Sequence, residues 1–147
     1  MIKLSTKGRY GARLMLNLAH HYRKGNTPLI LKIVSEEEEI SIRYLEQIII
    51  PLKINRLVKS IRGAGGGYTL SRHPSKIKMN EIIEALEGPI CLVDCIDDID
   101  FCHRIHRCAT YECWKKATFL LRDYFKKTTL QDLIEISEKK KSRYKKK

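Results

Sequence analysis

A glycine-rich segment, L-V-K-S-I-R-G-A-G-G-G-Y-T-L over residues 57–70, constrains the fold more than any other part of the chain. Leu57-Val58 and Tyr68-Thr69-Leu70 are short strand-like runs, and four glycines and Arg62 lie between them. Glycine permits positive φ and close backbone approach, so the pattern predicts a β-hairpin with a basic tip. A plain glycine turn is the simpler alternative. A nucleotide-binding loop is disfavoured because neither phosphate-loop spacing is present.

Three helices are predicted before the hairpin, and the first two lie within residues 5–38. Ser5 or Thr6 is suited to cap a helix that runs to about Tyr22, and the Gly-Asn-Thr-Pro of residues 25–28 ends it. A short second helix is expected over residues 29–38. Its run of glutamates should face solvent.

A third helix is expected to begin after Ser41, which can cap it, and Pro51 should kink or end it because proline has no N–H. Its predicted buried residues are Ile42, Leu45, Ile48, Ile49 and Leu52. The polar residues near its start are left to face outward; they are Arg43, Tyr44, Glu46 and Gln47. This order of helices is the helix-turn-helix plan, in which the start of the recognition helix enters the major groove. The hairpin that follows is then a wing, whose arginine reaches phosphates or the minor groove.

Charge divides the chain into three parts. The 147 residues carry a net charge of +12, with 13 Lys/Arg against 5 Asp/Glu in residues 1–75 and 9 against 12 in residues 76–138. We therefore predict a DNA-binding domain over 1–75, a sensor and dimerisation region over 76–138, and a basic disordered tail over 139–147. No apolar run is long enough to span a membrane and no signal peptide is evident, so we expect a cytoplasmic protein with no membrane partner.

Four motifs resemble the Rrf2 family of bacterial winged-helix transcription regulators. They are S-T-K-G-R-Y-G from residue 5, Y-L-E-Q from residue 44, the wing motif from residue 57, and E-x-L-E-G-P from residue 84. The resemblance implies a mainly α fold with a small β wing, in which a winged helix-turn-helix is joined to a long dimerisation helix. It also implies a homodimeric repressor or activator, rather than an enzyme, on a palindromic double-stranded operator.

The resemblance also assigns DNA contacts. The residues that it places in the groove are Ser41, Arg43, Tyr44 and Gln47, with Arg62 in the wing. Lys7, Arg9 and Tyr10 are expected to contact the DNA backbone.

A long helix over about residues 111–126 is the expected dimer helix. Its seam has spacings of 3, 4 and 3 residues and consists of Trp114, Ala117, Leu121 and Tyr124. The alternative is an ordinary helix that packs only on its own subunit. A last helix should return to the body through Leu130, Leu133 and Ile134.

All five cysteines lie in one stretch, with the spacing Cys91-x3-Cys95-x6-Cys102-x5-Cys108-x4-Cys113. The absence of a C-x2-C pair argues against a zinc ribbon or a thioredoxin-type site, whereas clustered thiolates suit an iron–sulfur cluster.

By resemblance to cluster-binding members such as IscR, the ligands would be Cys95, Cys102 and Cys108, with [2Fe–2S] favoured over [4Fe–4S]. The first gap is one residue longer than in the IscR-like pattern. The family's histidine ligand is replaced by Tyr111, and the partner-subunit aspartate of some nitric oxide sensors by Arg9. The remaining candidates for the fourth ligand are Cys113 and His106 first, then His103, Cys91 and Asp94.

Three other interpretations stay open. A cluster-free regulator would respond to a small metabolite, thiol oxidation or a partner protein. A structural zinc loop would use the same thiols. An electron-transfer or redox enzyme would need a substrate pocket or paired acid and base groups, and the sequence shows neither.

Overall fold

The computed structural model describes residues 3–144, in which six α-helices and one two-stranded sheet are found. The helices are α1 (Thr6–Arg23), α2 (Leu31–Glu38), α3 (Ile42–Ile54), α4 (Met79–Glu87), α5 (Ala109–Lys127) and α6 (Leu130–Tyr144). The strands are β1 (Val58–Ile61) and β2 (Gly67–Leu70), and short 3₁₀ turns lie at Pro74–Lys76, Asp94–Ile96 and Ile105–Arg107. This architecture confirms the mainly α fold with a small β wing.

Helix α1 is held at its start by α4. Ser5 caps it by accepting a hydrogen bond from the Gly8 N–H at 3.2 Å, and the Ser5 hydroxyl donates to Glu87 Oε1 at 2.7 Å. A side chain at Gly8 would collide with the Glu87 carboxylate, so the glycine lets the two helices approach. The carboxylate also lies at the positive end of the α1 dipole. Two of the family motifs therefore contact each other here.

Helix α3 begins at the predicted cap, since the Tyr44 N–H donates to Ser41 Oγ at 3.3 Å. The buried face is Leu45, Ile48, Ile49 and Leu52, whereas Ile42, expected to be buried, is 42% exposed in the first turn. Pro51 was expected to kink or end the helix, and an end at Pro51 is wrong, because the helix continues to Ile54. Proline removes only one hydrogen bond in this last turn, and the burial of Leu52 outweighs that loss.

The wing is an antiparallel hairpin with Val58 opposite Leu70 and Ile61 opposite Gly67. Its turn closes through the Gly66 N–H, which donates to the Gly63 carbonyl at 3.0 Å. Leu29 adds a third pairing, because its N–H and carbonyl both bond to the backbone of Tyr68, at 2.8 and 2.9 Å. The predicted start of α2 was Leu29. This pairing explains why the helix starts at Leu31 instead.

One apolar core joins the two halves of the chain. Leu14 and Leu18 of α1 belong to the same buried cluster as Ile82 of α4 and Leu130 and Ile134 of α6. The predicted boundary at residue 75 therefore divides the chain by charge, and it does not separate two cores.

The last helix, α6, extends into the segment that was predicted to be a disordered tail. Helix α6 lies on α1 and continues to Tyr144, so residues 139–144 are helical where a disordered tail was expected; residues 145–147 lie outside the described part. No glycine or proline interrupts this segment, and basic residues suit the negative end of a helix dipole. None of the helices described combines the length and apolarity needed to cross a bilayer.

Candidate DNA-binding surface and cysteine loop

The start of α3 presents the predicted recognition residues. Arg43 and Gln47 are exposed, and Ser41, also exposed, uses its oxygen to cap the helix. Tyr44 is half-buried because its ring meets Tyr10 of α1 edge-on, with the ring centres 6.0 Å apart. The tyrosine pair fixes the angle between α1 and the recognition helix.

The first turns of α1 lie beside this helix. Lys7 is half-buried and Arg9 is exposed, with its guanidinium 6.0 Å from the Tyr10 ring centre. Because Tyr10 contacts Tyr44, the predicted backbone-contacting residues and the groove residues adjoin each other. The two groups can therefore form one surface.

A group of side-chain hydrogen bonds that the sequence analysis did not predict joins α1 to α2. Arg13 donates to Glu38 at 2.5 Å, and the Asn17 amide donates to the other Glu38 oxygen at 2.6 Å. Glu38 is the last residue of α2, just before the turn that leads into α3, so the contact ties α1 to that end of α2. The i, i+4 spacing of the two α1 residues was the available signal.

Arg62 lies exposed in the loop between β1 and β2. Gly63, which follows it, has φ +105°, a conformation that a residue with a side chain rarely adopts. The sharp turn leaves the arginine at the tip of the wing, where it is free to enter a groove.

The first arm of the cysteine loop, residues 90–97, is tied to α5. Arg122 donates to the Ile90 carbonyl and to Asp97, each at 2.6 Å, and the Leu92 N–H donates to Thr118 Oγ1 at 3.3 Å. The Arg122 hydrogen bond holds the pKa of Asp97 below its usual value. The sequence analysis did not predict this anchor. The available signal was the i, i+4 spacing of two polar residues, Thr118 and Arg122, among the apolar residues of α5.

Cys91 belongs to the anchored arm. Its Sγ donates to the Val93 carbonyl at 2.8 Å, and burial raises the pKa of its thiol. The raised pKa favours the protonated thiol, which is neither a good nucleophile nor a good metal ligand. Cys91 is therefore a weak candidate for the fourth ligand.

Cys108 has the opposite environment. It is the N-cap residue of α5, and the Thr110 hydroxyl, 3.1 Å from its Sγ, holds the pKa of this thiol below its usual value. An open cleft of about 610 Å³ lies against it and is also lined by His106, Arg107 and Lys115. The dipole of α5 favours a thiolate at Cys108 rather than at Cys113, because α5 begins at Ala109 and Cys113 lies in its second turn.

The predicted cluster ligands do not form a ready-made site. Within residues 3–144, no three Cys, His, Asp or Glu side chains lie close enough to share a metal ion. The thiols of Cys95, Cys102 and Cys108 are free and half-buried, Cys113 is exposed, and His106 lines the cleft. Short 3₁₀ turns organise the loop locally, and Ile105 is its one buried residue. The donor chemistry suits a cluster, but the placement of the donors does not.

Helix α5 exposes most of its apolar surface. Thr118 is its one buried residue, while Leu120 and Tyr124 are 61% and 63% exposed. Of the predicted seam, Trp114, Leu121 and Tyr124 are exposed, at 40%, 36% and 63%, and Ala117 is half-buried. A neighbouring stripe shares Ala117 and Tyr124 with the seam and adds the exposed Cys113 and Leu120; its residues Cys113, Ala117, Leu120 and Tyr124 are spaced 4, 3 and 4.

Comparisons with known proteins decide the family. The family model described as "Rrf2: Iron-dependent Transcriptional regulator" matches residues 4–136. The chain belongs to the Rrf2 family. It is 38% identical over 143 residues to the HTH-type transcriptional regulator CymR of Bacillus subtilis, covering 97% of each chain. It is 34% identical over 137 residues to IscR of Pectobacterium atrosepticum, covering 93% of this chain and 82% of that relative.

A solved structure supports the same assignment. The structure of CymR, the global cysteine regulator of B. subtilis, matches with a TM-score of 0.77 at 40% identity, over 92% of this chain and 98% of that one. This Rrf2 protein is thus a DNA-binding transcription regulator rather than an enzyme. Its relatives include both CymR and IscR, so family membership leaves the controlling signal open.

Proposed function

We propose that this Rrf2 protein is a homodimeric regulator that binds a palindromic operator through α3 and the wing, and that its cysteine loop controls this binding. The observation that supports the DNA contacts is the Tyr10–Tyr44 ring contact, which brings the start of α1, with the exposed Arg9, next to the start of α3, with the exposed Arg43 and Gln47. Arg62 lies exposed at the wing tip.

Gln47→Ala should weaken operator binding by about 1–3 kcal/mol and relax the preference at one base position, because a glutamine amide reads a base edge with two hydrogen bonds. The operator is first obtained by selection from random duplexes, and binding is then measured by fluorescence anisotropy. Gln131→Ala, which changes the other glutamine of the chain on α6, is the control and should bind as the wild type does. Equal losses in both variants would remove Gln47 from the groove.

Dimerisation is supported by the exposed apolar face of α5. A single winged helix reads a short half-site weakly, and two linked copies gain length of readout and effective concentration. A second copy of α5 is the partner whose heptad spacing suits the stripe of Cys113, Ala117, Leu120 and Tyr124.

We infer that an iron–sulfur cluster on Cys95, Cys102 and Cys108 is the controlling group. Its support is the thiol spacing and the likeness to IscR, and it requires the loop to draw the thiols together. The movement would fall on residues 98–108, where Ile105 is the one buried residue, because residues 90–97, with Cys95, are tied to α5. The cluster would supply a group whose charge, and whose bonds to the cysteines, change with the signal.

Anaerobic purification followed by a visible spectrum and iron and sulfide analysis tests this inference. Wild type should be brown with matched iron and acid-labile sulfide, and Cys102→Ala should be bleached. Cys91→Ala is the matched control and should keep its colour, because the Cys91 thiol is engaged with Val93. A colourless wild type free of iron and sulfide would remove the cluster.

The second candidate is cluster-free control by the thiol of Cys108. The separate placement of the thiols and the lowered pKa of Cys108 favour it. Zinc on the same thiols faces the same geometric objection as the cluster. In this form of control, oxidation or alkylation of Cys108 at the start of α5 would change the loop and the dimer helix together.

Cys108 should react with iodoacetamide faster than Cys113 at neutral pH. Because the pKa of Cys108 is lowered, more of this residue is thiolate at a pH below the usual pKa of a cysteine. Thr110→Ala removes the hydroxyl that stabilises the thiolate, so the rate profile of Cys108 should shift to higher pH while that of Cys113 stays in place. Peptide mass spectrometry after timed quenching measures both rates in apo protein. Identical profiles for the two cysteines would refute the special reactivity of Cys108.

A further inference from the structure

The C-terminal half of α6 is a strongly basic helix that the proposed DNA contacts do not use. Lys139, Lys140, Lys141 and Arg143 are all exposed on it. The last turn of α1 and its cap contribute Arg23 and Lys24, which are also exposed.

The two basic segments meet in space although more than a hundred residues separate them. Arg23 pairs with Glu138 of α6 at 2.6 Å. The pKa of His20 is lowered by burial and then by the positive charge of Lys141, with smaller effects from Lys24 and Arg23. His20 therefore lies among cations from both helices, and Glu138 is the acidic group that also acts on it.

Helix-dipole stabilisation explains only part of this surface. Cations suit the end of α6, and the same holds for the end of α1. Around His20, however, cations of both helices lie near one another with Glu138 as the acidic group among them, and like charges repel unless more negative charge is present. A polyanion is the partner whose chemistry relieves that repulsion.

The location of the surface indicates which polyanion. Asn26, two residues after Lys24, contacts Thr69 of β2 through a hydrogen bond, and Leu29 pairs with Tyr68. The Lys24 end of the basic surface is thus two residues from a segment that contacts β2 of the wing, whose loop carries Arg62. A duplex bound to the wing would have its flanking phosphates on the side of this surface.

We propose that the basic surface of Arg23, Lys24, Lys139, Lys140, Lys141 and Arg143 contacts the DNA backbone beyond the wing, flanking the half-site. This inference rests on the proposed DNA-binding function and adds to it a sequence-independent contact. Each side chain that neutralises a phosphate should add about 0.9 to the slope of log affinity against log salt.

The test is salt-dependent binding of the full chain to the selected operator, alone and extended by about one helical turn, about 10 base pairs, at each end. The variant is Lys140→Gln/Lys141→Gln/Arg143→Gln. On the extended duplex its slope should fall by up to about 2.7, at about 0.9 per contact. On the short duplex it should bind nearly as the wild type does.

The matched control, Lys115→Gln/Lys116→Gln/Lys126→Gln, removes the same charge from α5 and should leave both slopes near those of the wild type. Glu138→Gln frees Arg23 and should tighten binding to the extended duplex. Equal slopes for wild type and the α6 variant, or an equal fall in the α5 control, would overturn the surface while leaving operator binding intact. A wild type that binds neither duplex would overturn the DNA-binding function and this surface with it.

Discussion

Replacing Leu120 and Tyr124 together by aspartate should convert the dimer to a monomer and weaken operator binding by about a hundredfold or more. The two side chains are 61% and 63% exposed on α5 and lie on the stripe with heptad spacing. Two charges on a helix seam would have to be buried without partners, and separate half-site readers lose the effective concentration that linkage gives. Light scattering after size exclusion measures the mass, and anisotropy measures the affinity.

Lys126→Asp is the control for this variant. It places the same side chain on α5 about 150° around the helix from the stripe, at 100° per residue. This control should remain dimeric and bind the operator. A dimeric Leu120/Tyr124 variant would show that another surface joins the two copies.

Gly66→Ala should disrupt the wing and weaken operator binding by about 5- to 150-fold. A Cβ at Gly66 would lie 2.5 Å from the Ile61 carbonyl oxygen and 2.8 Å from that of Gly63, and neither backbone atom can move without opening the turn. Such overpacking costs about 1–3 kcal/mol, which corresponds to that range of affinity if binding has to restore the wing. Anisotropy with the selected operator gives the affinity, and thermal unfolding gives the change in stability.

Gly65→Ala provides a control one residue away. Its Cβ would meet no atom within 4 Å, so stability and operator affinity should stay near those of the wild type. If the two alanine variants bind equally, the shape of the wing does not contribute to operator affinity.

The local signals of the DNA-binding half were sufficient to predict its architecture. Ser5 and Ser41 are caps in the structure, and the four-glycine segment is the turn of a hairpin. These features are encoded by neighbouring residues, so the sequence alone reveals them.

Features set by tertiary contacts were harder to predict. Leu29 was assigned to a helix but pairs with Tyr68, which is 39 positions away in the sequence. Pro51 was expected to kink or end α3, yet the helix continues past it, with Leu52 fully buried. Each outcome depends on a partner that local propensity does not identify.

The cysteine loop shows the same limit at the candidate site. Spacing identified the thiols, but it could not show that Arg122 ties the first arm to α5 through Ile90 and Asp97. Nor could it show that Cys108, and not Cys113, occupies the N-terminus of α5. Periodicity also could not show that Thr118 is the one residue of α5 that is buried, or that Leu120, beside the predicted seam, is 61% exposed.

Operator affinity in two chemical states of the loop tests the central claim most directly. Wild type is measured after anaerobic reconstitution with iron and sulfide and again after oxidation, beside a variant with Cys95, Cys102 and Cys108 all replaced by alanine. We predict that the wild-type affinity differs about tenfold or more between the two states and that the variant has one affinity in both. A wild-type affinity that is the same in both states would contradict control by the cysteine loop.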